Sequence, residues 1–264
     1  MNASAPELGW LSLLAAIALI AVPLGASSRL RLGLGRSIAV ATARMVVQLA
    51  LAGLYLRYLF AWNLPWLNLG WLLLMITAAA LSACRNSELA WRTMLGPTFV
   101  ATAVPALLVV TYVNAVVLRL DQVFEARYLV VIGGMLLGNT MSGNIIALTH
   151  FFHSAKADAG GYHFRLACGA TRTEALRPLY REATRRAMRP FLATMMTLGI
   201  VSLPGMMTGQ MLAGASPVDA IKYQMVIMFA IFTVLTTGVV LSLRLGSAVG
   251  FDRRGRVRGS IFEA

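Results

Sequence analysis

An all-α, polytopic integral membrane protein with seven transmembrane helices, its N-terminus outside and its C-terminus cytoplasmic, is the fold that this sequence predicts. Three observations predict it. Of 264 residues, 58% are hydrophobic and 12% charged, where charged residues approach about a quarter of a soluble domain. Apolar runs of roughly twenty residues recur, the length that crosses a hydrocarbon core of ~30 Å. The basic residues gather in alternate connections, as they do when one side of a membrane keeps them.

Taken in order, the apolar runs place helices at 8–26, 37–60, 69–84, 95–118, 128–150, 191–213 and 224–243. The first is expected to be a retained span, because "MNASAPELGW" lacks the basic region that opens a signal peptide. Between the first two helices lie Arg29, Arg31 and Arg36, and between the third and fourth Arg85 and Arg92. Between the fifth and sixth come Lys156, Arg165, Arg172, Arg177, Arg181, Arg185, Arg186 and Arg189, and after the seventh Arg244, Arg253, Arg254, Arg256 and Arg258. The opposite side holds only Arg57, Arg119, Arg127 and Lys222. The net charge of +13 is thus a topology signal, with contacts to membrane lipid or a cytoplasmic partner as secondary uses and no nucleic acid binding expected. Residues 1–264 read as a single transmembrane domain that includes a cytoplasmic segment, 151–190.

The spans lack the usual equipment of other classes. No Asp or Glu falls in the middle of a span, where an ion-coupled transporter commonly carries one. Arg44 is the one charge at that depth; with Gln48, four residues on, it either packs and snorkels or lines a polar path. His150 and His153 could hold a metal, but no carboxylate or cysteine completes their spacing, and no metal ligand is assigned. Cys84 and Cys168 are read as free thiols. Neither Lys156 nor Lys222 stands in a phosphate-binding Gly-Lys-Ser/Thr context, so no nucleotide or other cofactor is expected on this chain and no catalytic residue is assigned. Energy for uphill transport has to come from a partner.

The segment 151–190 is too regular for a linker. Thr171 and Glu174 have capping-box spacing, and Ala175, Leu176, Leu179, Tyr180, Ala183 and Ala187 recur at helical intervals with arginines on the other faces. Pro178 is expected to divide it into two helices. Two readings stand beside each other: an amphipathic helix on anionic lipid, or a docking element in which "CGATRTEA" presents a capped turn.

"GATRTEA", the arginine-rich helix after it, "LGIVSLPGMMTGQMLAG" and "PVDAIKYQ", with "GGMLLGN" and "RMVVQL…YLRYLF" upstream, resemble the membrane subunits of iron-export ABC transporters, the FetB-type permeases. The plant aluminium-tolerance membrane subunits are similar. The resemblance implies a permease of the bacterial inner membrane that exports iron or another metal species. It also implies a cognate ABC subunit that binds the ATP, and a homodimer of permease chains in a two-plus-two complex. Gly169, Ala170, Thr171, Arg172, Glu174 and Ala175 then resemble the coupling element of ABC permeases. Permease activity toward a sugar nucleotide or lipid-like cargo, a non-transporting membrane scaffold or sensor, and a membrane enzyme are the alternatives.

The stretch "SLPGMMTGQM" interrupts an apolar run that otherwise reads as a span. Pro204 removes a donor and Gly205 loosens the backbone, which lipid tolerates only beside protein or a watery cavity. Gly205 with Gly209, and Gly134 with Gly138, also have the spacing of close helix packing. Met206, Met207, Thr208 and Gln210 add thioethers and neutral oxygens, and Asn139 and Asn144 supply similar groups on the fifth helix. Pro204–Gln210 is therefore expected to be unwound or kinked, facing Asn139 and the Arg44–Gln48 pair across a translocation path.

Overall fold

A computed structural model describes residues 9–252 and 255–262. The N-terminal residues expected outside, and Arg253 and Arg254, lie outside the described residues. Among those described, α-helices carry the fold, and five of them are long and apolar enough to cross a membrane: α3 (Gly35–Trp62), α4 (Pro65–Asn86), α5 (Trp91–Tyr112, extended by a π-helical turn to Val117), α6 (Ala126–Ala157) and α10 (Pro217–Gly250). This is the architecture of a multi-pass membrane protein. The shorter helices are α1 (Trp10–Ala18), α2 (Ala21–Arg29), α7 (Ala159–Ala167), α8 (Arg172–Thr197) and α9 (Gly205–Leu212).

The first and sixth expected spans are interrupted. At the first, the amides of Leu19, Ile20 and Val22 bond three residues back. Pro23 has no amide to give the Leu19 carbonyl, so the ladder tightens here and two nine-residue helices replace one. At the sixth, the helix ends at Thr197 and resumes at Gly205. Leu198 turns extended, Gly199 adopts a φ of +82° and its amide donates to the Ser202 carbonyl at 3.0 Å. A left-handed residue in this turn suits glycine.

The chain divides into two compact units. One holds Met1–Trp62 with Gly209–Ala215, and within it α2 packs against α3. The other holds Asn63–Thr208 with Ser216–Ala264, and its core is a bundle of α4, α5, α6 and α10. Leu72 and Ile76 of α4, Leu136 and Leu148 of α6, and Val234 and Val239 of α10 are fully buried there. The close approach is set by Gly143, where an added Cβ would collide with the Leu235 side chain, and by Gly238, where it would lie 2.8 Å from the Thr140 methyl. The glycines of the two expected packing motifs behave differently. A Cβ at Gly134 would meet only the end of Met75, at 3.3 Å, and within this unit none would touch a neighbour at Gly138 or Gly205.

Both ends of the bundle are closed by connections that hydropathy does not reveal. At one end Asn63 accepts from the Asn68 amide and from the Ala126 backbone, at 3.2 and 2.8 Å, and Asn68 donates to the Phe124 carbonyl at 2.9 Å. At the other, the chain after α10 folds back. Ala90 donates to the Ile261 carbonyl at 2.7 Å, Ile261 is buried, and Lys156 sits 4.8 Å over the Phe262 ring.

Candidate functional site

α8 begins in a capping box. The Thr171 hydroxyl accepts from the Glu174 amide, and the Glu174 carboxylate accepts from the Thr171 amide at 2.8 Å and its hydroxyl at 2.7 Å. These bonds hold the exposed Glu174 carboxyl below its ordinary range, with the nearby Arg177 charge adding to the effect. The preceding turn is set by Gly169 at φ +91°, and the Ala170 amide donates to Arg165 at 3.1 Å. Arg165 in turn bonds the Asp158 carboxylate at 3.0 Å and the Ala175 carbonyl at 3.1 Å, tying α7 to α8.

Within the expected coupling residues the roles separate. Thr171 and Glu174 are exposed, whereas Ala175 is buried and Ala170 packs on the core. Arg172 turns inward: its guanidinium donates to the Ser247 carbonyl at 2.6 Å and lies 5.1 Å over the Phe251 ring. Two turns further, the Tyr180 hydroxyl bonds the Ser247 hydroxyl while its ring stacks on Phe151 at 4.9 Å. The start of α8 is thus bolted to the end of α10.

Pro178 does not divide the helix. α8 runs unbroken from Arg172 to Thr197 through both Pro178 and Pro190. Both prolines are exposed, so each missing amide lies on the outer face, while Leu176, Ala183, Ala187 and Phe191 bury the inner one. What the sequence presents as a cytoplasmic segment followed by a span is one rod.

Between α8 and α10 lies a cleft of about 940 Å³. Arg177, Arg181, Arg185 and Arg189 form a stripe four residues apart along α8, with Arg172 at one end and Arg244 of α10 opposite. No carboxylate lines it. The stripe was readable in the sequence as an i, i+4 repeat; that a second helix would face it was not.

The expected path residues are not gathered into one site. Asn144 is fully buried in the bundle, donating to the Thr102 hydroxyl at 3.3 Å, and Thr102 donates to the Thr98 carbonyl at 2.8 Å. Thr140 and Ser242, also fully buried, have no side-chain hydrogen-bond partner among the described residues, nor has Asn144 Oδ1. Nothing in the hydropathy pattern singles out Thr102, Thr140 or Ser242. Asn139 donates to its own helix at Met135 and borders a small cleft of about 130 Å³ shared with Pro190 and Thr194 of α8. Asn139 therefore borders α8, and its cleft includes no residue of Pro204–Gln210.

That stretch is itself ordered differently from expectation. The unwound backbone is 198–204, one turn earlier, and Gly205–Gln210 is helical. Pro204 does not leave a free carbonyl, because the Thr208 amide and hydroxyl donate to it at 2.9 and 3.1 Å. Met207 is buried and Met206 packs on the core, so both act as filling side chains in this unit. In the other unit, Arg44 and Gln48 stand one turn apart on α3, both exposed.

Among the described residues no group of three His, Cys, Asp or Glu side chains is placed to hold a metal ion. His153 instead pairs with Glu88 at 3.6 Å and meets Phe262 edge-on, and His150 bonds Ser154 at 3.4 Å. Cys84 is buried against Thr98, and Cys168 is exposed; both are free thiols.

The chain is similar to several described proteins. It is 30% identical over 257 residues to UPF0014 membrane protein STAR2 of Oryza sativa, covering 97% of this chain and 88% of that one. It is 30% identical to UPF0014 membrane protein YjkA of Bacillus subtilis, covering 89% and 92%. To the "Probable iron export permease protein FetB" of Escherichia coli it is 28% identical, covering 89% of each. No solved structure matches it. The family described as "Uncharacterised protein family (UPF0014)" matches residues 10–251. With that match spanning the ten α-helices of the described residues, the chain belongs to the UPF0014 family.

Proposed function

We propose that this protein is the membrane-spanning permease subunit of an ABC transporter that exports iron or another metal species from the cytoplasm, driven by a separate ATP-binding subunit. The observation that carries the reading is the similarity, over most of both chains, to the relative named as a probable iron export permease. The geometry of α8 supports it. A partner that changes shape on binding ATP needs a stiff handle at the membrane surface. The turn 169–174 offers exposed Thr171 and Glu174 on a helix bolted to α10 through Arg172 and Tyr180.

In this reading the arginine-rich end of the bundle is cytoplasmic, as the positive-inside rule requires, and the membrane is the bacterial inner membrane. ATP binds to the partner, and this chain binds no cofactor and catalyses no reaction. The path runs along neutral polar side chains of α6, with Asn144 and Asn139 as its contacts. Weak neutral oxygens suit an exporter, since a tightly caged ion does not leave.

The test is metal flux in proteoliposomes containing this chain and its cognate ATPase. ATP-dependent movement of iron that vanishes when the ATPase is omitted supports the proposal. ATP hydrolysis without movement of any metal counts against it. Asn144→Leu and Asn139→Leu should lower flux while leaving assembly and hydrolysis in place.

A further inference from the structure

The cleft between α8 and α10 is a poor site for a bare cation. Six guanidinium groups line it and no carboxylate does. Of the two acids of α8, Glu174 is held in the capping box, and Glu182 bonds Arg186 at 2.8 Å outside the cleft and pairs with the cleft's Arg185 at 3.6 Å, which leaves five of the six guanidiniums without a carboxylate partner among the described residues. Like charges held in one concavity repel one another and raise the local concentration of anions. Arginine forks match the oxygens of a phosphate in bidentate fashion.

Charge is only half of the site, because apolar side chains share its lining. α8 and α10 run antiparallel: Arg172 meets Ser247 at one end, and Phe191 stacks on Phe232 at 6.0 Å further in. Those two points on α10 are fifteen residues apart, about 22 Å at the helical rise. In that register Val240 faces the arginine stripe from α10, Met188 lies within the stripe, and Leu192 continues the lining past Arg189. α10 is among the helices long and apolar enough to cross a membrane. A ligand that fills the cleft therefore needs an anionic head for the arginines and an apolar body for Met188, Leu192 and Val240. Its volume, about 940 Å³, is at the upper end of the roughly 300–1,000 Å³ of small-molecule sites.

We propose that the cleft binds an anionic phospholipid of the inner leaflet, its phosphate held by arginines of the stripe with Arg181 and Arg244 on its two walls, and an acyl chain lying along Met188, Leu192 and Val240. Basic pockets between membrane helices at the cytoplasmic face take such headgroups. The proposal rests on the reading of the basic end as cytoplasmic, but not on the identity of the cargo. Because α8 also carries the coupling turn, an occupied cleft joins α8 to α10 and stiffens the handle.

The test is native mass spectrometry of the purified full chain in detergent, titrated with phosphatidylglycerol or phosphatidylcholine of matched acyl chains. Phosphatidylglycerol should bind at least about tenfold more tightly than phosphatidylcholine. Arg181→Gln with Arg244→Gln should erase the difference while helical content by circular dichroism is unchanged. Arg186→Gln, which removes a charge bonded to Glu182 outside the cleft, should leave it intact. If the double variant does not fold, Arg181→Lys serves instead, keeping the charge and losing the fork; it should weaken the preference several-fold. Equal binding of the two lipids, or equal loss in Arg186→Gln, overturns the proposal. Binding of glycerol phosphate as tight as that of the lipid also overturns it, since a free phosphate would then be the ligand. So does displacement of bound lipid by the cognate ATPase in a manner that needs Arg181 and Arg244, which would make the cleft a protein-docking surface. None of these readouts depends on metal flux, so a failed transport reading leaves the lipid result standing, and the reverse.

Discussion

Arg172 illustrates how a motif can place a side chain without giving its direction. Its place beside Gly169 and Thr171 was legible in the motif; its direction was not, because the partner carbonyl belongs to Ser247, far away in sequence. Arg172→Ala removes a charge-assisted bond, typically about 1.5–3 kcal/mol, together with a cation–ring contact. The expected outcome is a lower melting temperature in detergent, with Arg172→Lys recovering only part because it cannot fork. An unchanged melting temperature would show the contact to be idle. Glu174 adds a pH signature. Its folded pKa is depressed by Thr171, so its support of the cap is full above the unfolded value of about 4.3 and is lost as pH falls through the lower folded value. Protection of the first amides of α8 against hydrogen exchange, relative to the intrinsic rate at each pH, should fall on acidification through that window. In Glu174→Ala that protection should be low already at neutral pH and show no such step.

At the scale of the element, the long spans were legible because hydrophobic length is a direct consequence of the bilayer: α3, α4, α6 and α10 each bracket an expected run, and α5 with its π-helical turn covers all of another but its last residue, Leu118. At α8 and α9 the failures share one cause: a proline was read from its local cost alone. An interior proline costs about 3 kcal/mol, yet Pro178 and Pro190 are exposed while the opposite face of α8 buries Leu176, Ala183 and Ala187, and packing prevails. Pro204, by contrast, stands at the start of α9, where its missing amide is not needed. The break comes from Gly199 one turn earlier. The continuity of α8 can be measured. Spin labels at positions 174 and 194, twenty residues apart, should lie about 30 Å apart for an unbroken rod, with a narrow distribution. A broad distribution centred well below that would restore the divided helix. Gly199→Ala, forced into a left-handed φ, should cost about 1–2 kcal/mol and slow assembly without altering the turn at 169–174.

For the whole molecule, the exposed surface is what a single chain leaves unresolved. Val40, Val47, Leu51 and Leu54 of α3 and Met196, Ile200 and Val201 around the break after α8 are exposed apolar side chains, and their partners are lipid or other subunits. The sequence holds no nucleotide-binding motif, and the path residues expected from it are scattered over two units. On the proposed function the chain is half of a machine, with two copies to supply the two sides of a path and two ATP-binding subunits to supply the force. Mass measurement of the intact complex, solubilised gently with its cognate ATPase, should therefore give two permease chains and two ATPase chains. A substitution that places a charge in an apolar contact between copies, such as Ile200→Arg, should lower the fraction of complete complexes if that patch joins the copies, and should leave it unchanged if the patch faces lipid. A one-to-one complex that still moves metal with ATP would end the dimer proposal, because each chain would then have to enclose a path alone.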